Sequence, residues 1–194
     1  MVRIYTRTGD DGSTGLSGLR RTTKDSPLIE AFGELDELNA MIGVVRSSSL
    51  PDNADRILEI VQKDLFAIGA QIMAPDESDN KGGLIREEDV IELEKEIDAL
   101  ENQLEPLRRF ILPGGARMAA ELHLARAIAR RVERHCISLS RIQKVAPNIL
   151  CYLNRLSDLC FVLARYLNRH QGVAEPQLSG TGSQRAAAGL KESG

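Results

Sequence analysis

Five stretches in which apolar residues recur at threes and fours commit this chain to a helical bundle. In the first, over 26–47, Leu28, Phe32, Leu35, Leu38, Ile42 and Val45 fall on one stripe. It opens on Asp25-Ser26-Pro27, a capping residue followed by a proline in the first turn. Pro51-Asp52-Asn53 turns into a second helix carrying Ile57, Ile60, Val61, Leu65, Ile68 and Ile72, and Pro75 ends it. The polar segment 76–83 reads as a surface loop. A third helix, over 86–104, stops before Pro106; a fourth spans 116–139 and a fifth 147–170. No internal repeat is present, and no strand is stronger than residues 2–5. The expected fold is all-α, a five-helix bundle with an N-terminal loop laid against it. A single domain is expected, with the loop at 1–25, the bundle at 26–170 and a flexible tail at 171–194.

Composition narrows the function. Net charge is −3, against wholesale binding to nucleic acid or an anionic membrane surface. Any phosphate recognition has to come from local arginine clusters. Aromatic residues are 4% with no tryptophan, against a base-stacking platform. Cys136, Cys151 and Cys160 are odd in number and sit in apolar helical context, as reduced core thiols do. No apolar run approaches a membrane span and no signal segment opens the chain, so a cytoplasmic protein is expected.

Three polar segments do not look routine. Residues 5–16, Tyr5 to Leu16, hold three glycines, several hydroxyls and Asp10 and Asp11, with arginines and Lys24 on either side. Such a loop is either a plain surface turn or a phosphate cradle, in which backbone N–H groups and cations meet an anion. It matches neither G-x-x-x-x-G-K-[ST] nor G-x-G-x-x-G. In the fourth helix His123, Arg126, Arg130 and Glu133 share one face, with Arg131 and Arg134 alongside. That face is a solvated charged surface or a receptor for an anion or a partner's carboxylate. In the fifth, Asn154, Ser157 and Asp158 either bond a neighbouring helix or hold a ligand. Asp36, at the edge of the first stripe, is a surface carboxylate or faces another subunit's arginine. No zinc-type ligand spacing and no nucleophile elbow occurs.

In order along the chain, Thr6 to Leu16, Gly33-Glu34-Leu35-Asp36-Glu37-Leu38-Asn39, Arg126 through Glu133, and Tyr152-Leu153-Asn154-Arg155-Leu156-Ser157-Asp158 resemble the PduO-type ATP:cob(I)alamin adenosyltransferases. The likeness runs from residue 3 to about residue 168. It implies that the N-terminal loop binds nucleotide and that the bundle assembles as a homotrimer with active sites at subunit interfaces. Thr6, Thr8, Gly9, Asp10, Gly12, Thr14 and Lys24 would surround the triphosphate of ATP, and Arg130, Glu133 and Asn154 would complete the nucleotide site. Asp36 would pair with Arg126 across the interface, and Phe110 would cover the lower face of the corrin. Ala146 stands where the family often has an asparagine, which weakens the cap of the fifth helix.

The implied reaction is attack of cob(I)alamin on C5′ of ATP, giving adenosylcobalamin and triphosphate, with Mg²⁺ held mainly by the phosphates. No proton leaves the nucleophile, so no general base is needed. A flavin-dependent reductase and an adenosylcobalamin-dependent enzyme are the partners such an activity implies. Two other readings share the residues: a corrinoid carrier that delivers cofactor without catalysis, and a kinase or ATPase. The carrier consumes no ATP, and the kinase releases ADP.

Overall fold

The computed structural model describes residues 4–16, 21–74 and 83–178. Among these residues are five helices and one small two-stranded antiparallel sheet. These are α1 (Pro27–Arg46), α2 (Asp52–Met73), α3 (Glu87–Glu101), α4 (Arg117–Leu139) and α5 (Pro147–His170), preceded by β1 (Ser13–Gly15) and β2 (Arg21–Thr23). Helix α1 packs on α2 and α4, α4 packs on α5, and α5 packs on α3. The stripes meet in one core, where Leu38, Ile42, Leu58, Ile68, Leu122, Leu153 and Leu163 are wholly buried. Each such side chain contributes about 1.5–3 kcal/mol relative to remaining in water. No helix among the described residues is long and apolar enough to cross a membrane.

Helix ends follow local chemistry. The Ser26 hydroxyl accepts from the N–H of Ile29 at 3.4 Å, and Pro27 takes the first turn. Ala146 provides no side-chain cap to α5, and Pro147 alone shapes that entry. Helix α3 ends at Glu101, short of Leu104, because Asn102 closes it and the next residues turn ahead of Pro106.

Two expectations need correction. Residues 4 and 5 form no strand, while residues 2 and 3 lie outside the described residues, as do Pro75 and residues 76–82 of the polar loop. The strands lie instead at Ser13–Gly15 and Arg21–Thr23, antiparallel with Thr14 opposite Thr22. Both are short and polar, without the alternation that marks a half-buried strand, so periodicity is silent there. Cys136 and Cys160 are buried, their thiols pushed up to about 12 by desolvation, but Cys151 is exposed. It shares its face of α5 with Arg155 and Asp158 rather than with the core stripe.

The chain after α5 is ordered as far as residue 178. The N–H of Leu112 donates to Pro176 O at 2.7 Å and that of Leu178 to Phe110 O at 3.0 Å, so the segment pairs with the link before α4. Arg165, only 5% exposed, donates to Glu175 at 2.9 Å and to the carbonyl of Glu105 at 2.8 Å. One α5 side chain thereby ties down both segments. Residues 179–194 lie outside the described residues.

Candidate active site

The N-terminal loop is wound by its own residues. Arg7 adopts φ 61° and Gly12 φ 84°, both left-handed, and the N–H of Gly12 closes a turn on Gly9 O at 3.2 Å. The two-stranded sheet then brings the later cation back: the N–H of Lys24 donates to Gly12 O at 2.9 Å. A Cβ on Gly9 would lie 2.9 Å from Ser13 O and 3.3 Å from Lys24 Nζ, so only glycine lets the ammonium settle over the backbone. Thr6 and Thr8 share a hydroxyl–hydroxyl bond of 2.9 Å, and Asp10 is exposed at the tip.

The two aspartates differ. Asp11 accepts from the N–H and hydroxyl of Ser13 at 2.9 and 2.7 Å, and these bonds lower its pKa, with Arg21 adding to the effect. Arg21 in turn donates to Ser13 Oγ and, at 2.5 Å, to the carbonyl of Thr8. Asp11, Ser13 and Arg21 thus hold the loop in its own shape.

On α4 the arginines separate by face. Arg131 turns to α1 and binds Glu34, at 2.5 Å, and Glu37. Arg130, one residue earlier, is exposed. Glu133 accepts from Asn154 Nδ2 at 3.0 Å, and Asn154 Oδ1 accepts from Arg155 at 2.7 Å. Asn154 therefore bonds the neighbouring helix and stands with Glu133 one turn from Arg130. Tyr152, fully buried, donates to Asp64 at 2.6 Å, anchoring this stretch of α5 to α2.

A second locus lies at the other end of the α4 arginine face. An open cavity of about 540 Å³, of ligand-binding size, is walled by Leu107, Phe110, Ile111 and Phe161, with Arg126 and His123 among its polar groups. Phe110 is 85% exposed and stands free of the core. The Arg126 guanidinium lies over the Phe161 ring, 5.6 Å from its centroid.

Sequence spacing missed the residue that holds this wall in place. Asn168, on α5 and 1% exposed, accepts from the N–H of Ala116 at 2.8 Å and donates to Gly114 O at 3.1 Å. It latches the turn that carries the chain from Phe110 into α4. Only the unusual Pro113-Gly114-Gly115 pointed to a special backbone there.

Asp36 is exposed on α1 beside Phe32 and Phe66, over a small crevice in which Asn39 Oδ1 is buried without a partner. Among the described residues, no hydrogen bond or ion pair joins Asp36 to Arg126 within the chain. Glu30, Glu34 and His135 bring ligand-type atoms within 4.8 Å of one another, but Glu34 is already held by Arg131.

Residues 4–167 match the family described as Cobalamin adenosyltransferase. The corrinoid adenosyltransferase of Bacillus subtilis is 40% identical over 178 residues, covering 90% of this chain and 91% of that protein. Among solved structures, a phenylalanine-to-histidine variant of the PduO-type ATP:corrinoid adenosyltransferase of Lactobacillus reuteri, complexed with cobalamin and ATP, superposes with a TM-score of 0.84. It is 32% identical, over 92% of this chain and 97% of that one. An arginine-to-lysine variant of the same Lactobacillus reuteri protein, complexed with ATP, gives 0.83 at 34% identity over 90% and 99% of the two chains.

Proposed function

The chain belongs to the cobalamin adenosyltransferase family and is an ATP-dependent corrinoid adenosyltransferase, and on that premise we propose how its residues divide the work. The 5′-deoxyadenosyl group of ATP passes to the cobalt of cob(I)alamin: the cobalt lone pair forms the Co–C5′ bond, the C5′–O bond breaks, and triphosphate leaves with that electron pair. The nucleophile comes with the substrate, so the protein's task is positioning and charge stabilisation.

Thr6, Thr8, Gly9, Asp10, Gly12, Thr14 and Lys24 hold the triphosphate, with Arg130, Glu133 and Asn154 completing the nucleotide site. Supporting this, Lys24 Nζ lies against Gly9, where only a glycine leaves room for it. Arg130 meets the charge that grows on the leaving group. Among the described residues, Asp11 is engaged by Ser13 and Arg21, and Glu34 by Arg131. Mg²⁺ is then held mainly by the phosphates of ATP.

The assembly is a homotrimer in which Asp36 of one copy meets Arg126 of the next. The support is a face of α1 and α2 with exposed Phe32 and Phe66 around an acidic group. The site works in the cytoplasm with a separate, flavin-dependent reductase, and its product serves an adenosylcobalamin-dependent enzyme.

The observation that carries the corrinoid side is the cavity, whose wall includes an exposed phenylalanine with no ligating atom. A carrier has no need of such a wedge, whereas catalysis does. Displacing the lower cobalt ligand makes Co(II) easier to reduce, and Phe110 fills that space without coordinating. Phe110→Ala is expected to bind ATP normally while adenosylating cob(II)alamin at least tenfold more slowly under a fixed reductant. Wild-type rates in anaerobic assays of that variant would remove the wedge.

A further inference from the structure

Among the polar groups lining the cavity, His123 is a buried one to which the division of work gives no role. His123 is 6% exposed, and its Nε2 is buried with no hydrogen-bond partner. The imidazole stands edge-on to Phe161, centroids 6.0 Å apart, while Arg126 covers a face of the Phe161 ring. An unpaired buried nitrogen in a well-packed helix is a cost that folding alone does not explain.

We propose that His123 is a corrinoid-recognition residue whose free ring nitrogen hydrogen-bonds a neutral carboxamide on the rim of the corrin. The proposal rests on the corrinoid reading of this cavity. Its chemistry follows from charge and size. Burial and, after it, the Arg126 charge lower the pKa of His123, with Glu175 acting in the opposite sense, so the ring is neutral. A neutral imidazole offers one donor and one acceptor, the complement of a primary amide, whereas Arg126 beside it suits an anion. ATP is the poorer match. Arg130 lies seven residues along α4, about 10 Å away at 1.5 Å per residue. A corrin carries neutral amides around its whole rim, so one of them meets His123 wherever the macrocycle lies against this wall.

The test uses the full chain, wild type and two variants: His123→Leu, of similar volume without a hydrogen-bonding atom, and His123→Gln, whose amide reaches toward the Nε2 position. Equilibrium binding of cob(II)alamin and cob(II)inamide is measured anaerobically by absorbance, alongside binding of ATP and thermal unfolding without ligands. His123→Leu is expected to weaken both corrinoids about tenfold, leave ATP within twofold, and melt at or above the wild-type temperature because the orphan nitrogen is gone. His123→Gln recovers most of the corrinoid affinity. A lowered melting temperature with unchanged corrinoid binding would make His123 a packing residue and overturn the proposal. So would weakening of cob(II)alamin alone, since cob(II)inamide lacks the nucleotide tail but keeps the rim. Wild-type protein that binds corrinoid without turnover would overturn the enzymatic reading and leave the His123 assignment standing; wild-type protein that binds no corrinoid would overturn both.

Discussion

Arg130→Ala is expected to lower turnover about 10²–10³-fold, the loss typical of deleting a preorganised group that faces developing charge. The fold should not notice. Arg130 is exposed on α4, and no hydrogen bond or ion pair of its guanidinium is found among the described residues; only its backbone carbonyl is engaged, by Arg134 at 3.0 Å. Surface replacements of that kind usually change stability by less than about 0.5 kcal/mol. Arg131, one residue on, supplies the control. It grips Glu34 and Glu37 on α1, and those two hydrogen bonds raise its pKa, so Arg131→Ala should act on α1–α4 packing. Arg130→Lys keeps the charge but loses the planar fork, and an intermediate rate is expected. Rates with saturating cob(I)alamin and ATP, set beside circular-dichroism melts, separate the cases. An Arg130→Ala enzyme at wild-type turnover would take the residue out of the site.

The largest loss of stability is expected from a single methyl group at Gly115. This residue sits at φ +103°, which an L side chain rarely adopts, and a Cβ there would lie 2.2 Å from Asn168 Oδ1. Gly115→Ala therefore strains the backbone and pushes away the amide that satisfies Ala116 N–H and Gly114 O. Strain at such a position costs about 1–3 kcal/mol and each buried group left unpaired about 1–3 kcal/mol more. Together about 3 kcal/mol is expected, which in a chain of this size lowers Tm by roughly 6–12 °C. Asn168→Leu should do comparable damage by leaving the same two backbone groups bare. Gly114→Ala is the contrast, because its added Cβ meets only Pro176 at an ordinary 3.5 Å. Equal melting temperatures for Gly114→Ala and Gly115→Ala would show that the latch carries no load.

The helices were legible because burial writes itself into a chain as a period. Leu35, Leu38 and Ile42 had to face inward together, and they do. Other features leave no such trace. Ser13-Thr14-Gly15 pairs with Arg21-Thr22-Thr23 through backbone bonds and the Arg21–Ser13 side-chain contact, so neither segment carries a hydrophobic signature. The Asn168 latch joins residues more than 50 positions apart, and its need appears only as paired glycines at the other end. Cys151 sits one step off the apolar stripe, a distinction composition cannot make.

The site shows the same division. The chain's order of motifs already grouped the loop, the α4 arginines and Asn154, but not which members were scaffold. Arg21 and Arg131 look like Arg130 on paper, and only geometry shows that they are spent on Thr8, Ser13, Glu34 and Glu37. His123 reads as one more polar residue on a charged face until its burial and missing partner are seen. The proposed pairing of Asp36 with Arg126 lies beyond a single copy of the chain.

The central claim is that this chain makes the Co–C bond itself, with ATP as the adenosyl donor. The most direct measurement mixes wild-type protein anaerobically with ATP, Mg²⁺ and chemically reduced cobalamin, following the absorbance spectrum and the phosphate products together. Conversion to adenosylcobalamin is expected, with one inorganic triphosphate released per Co–C bond. Corrinoid that binds without adenosylation, or ATP consumed to ADP, would contradict it.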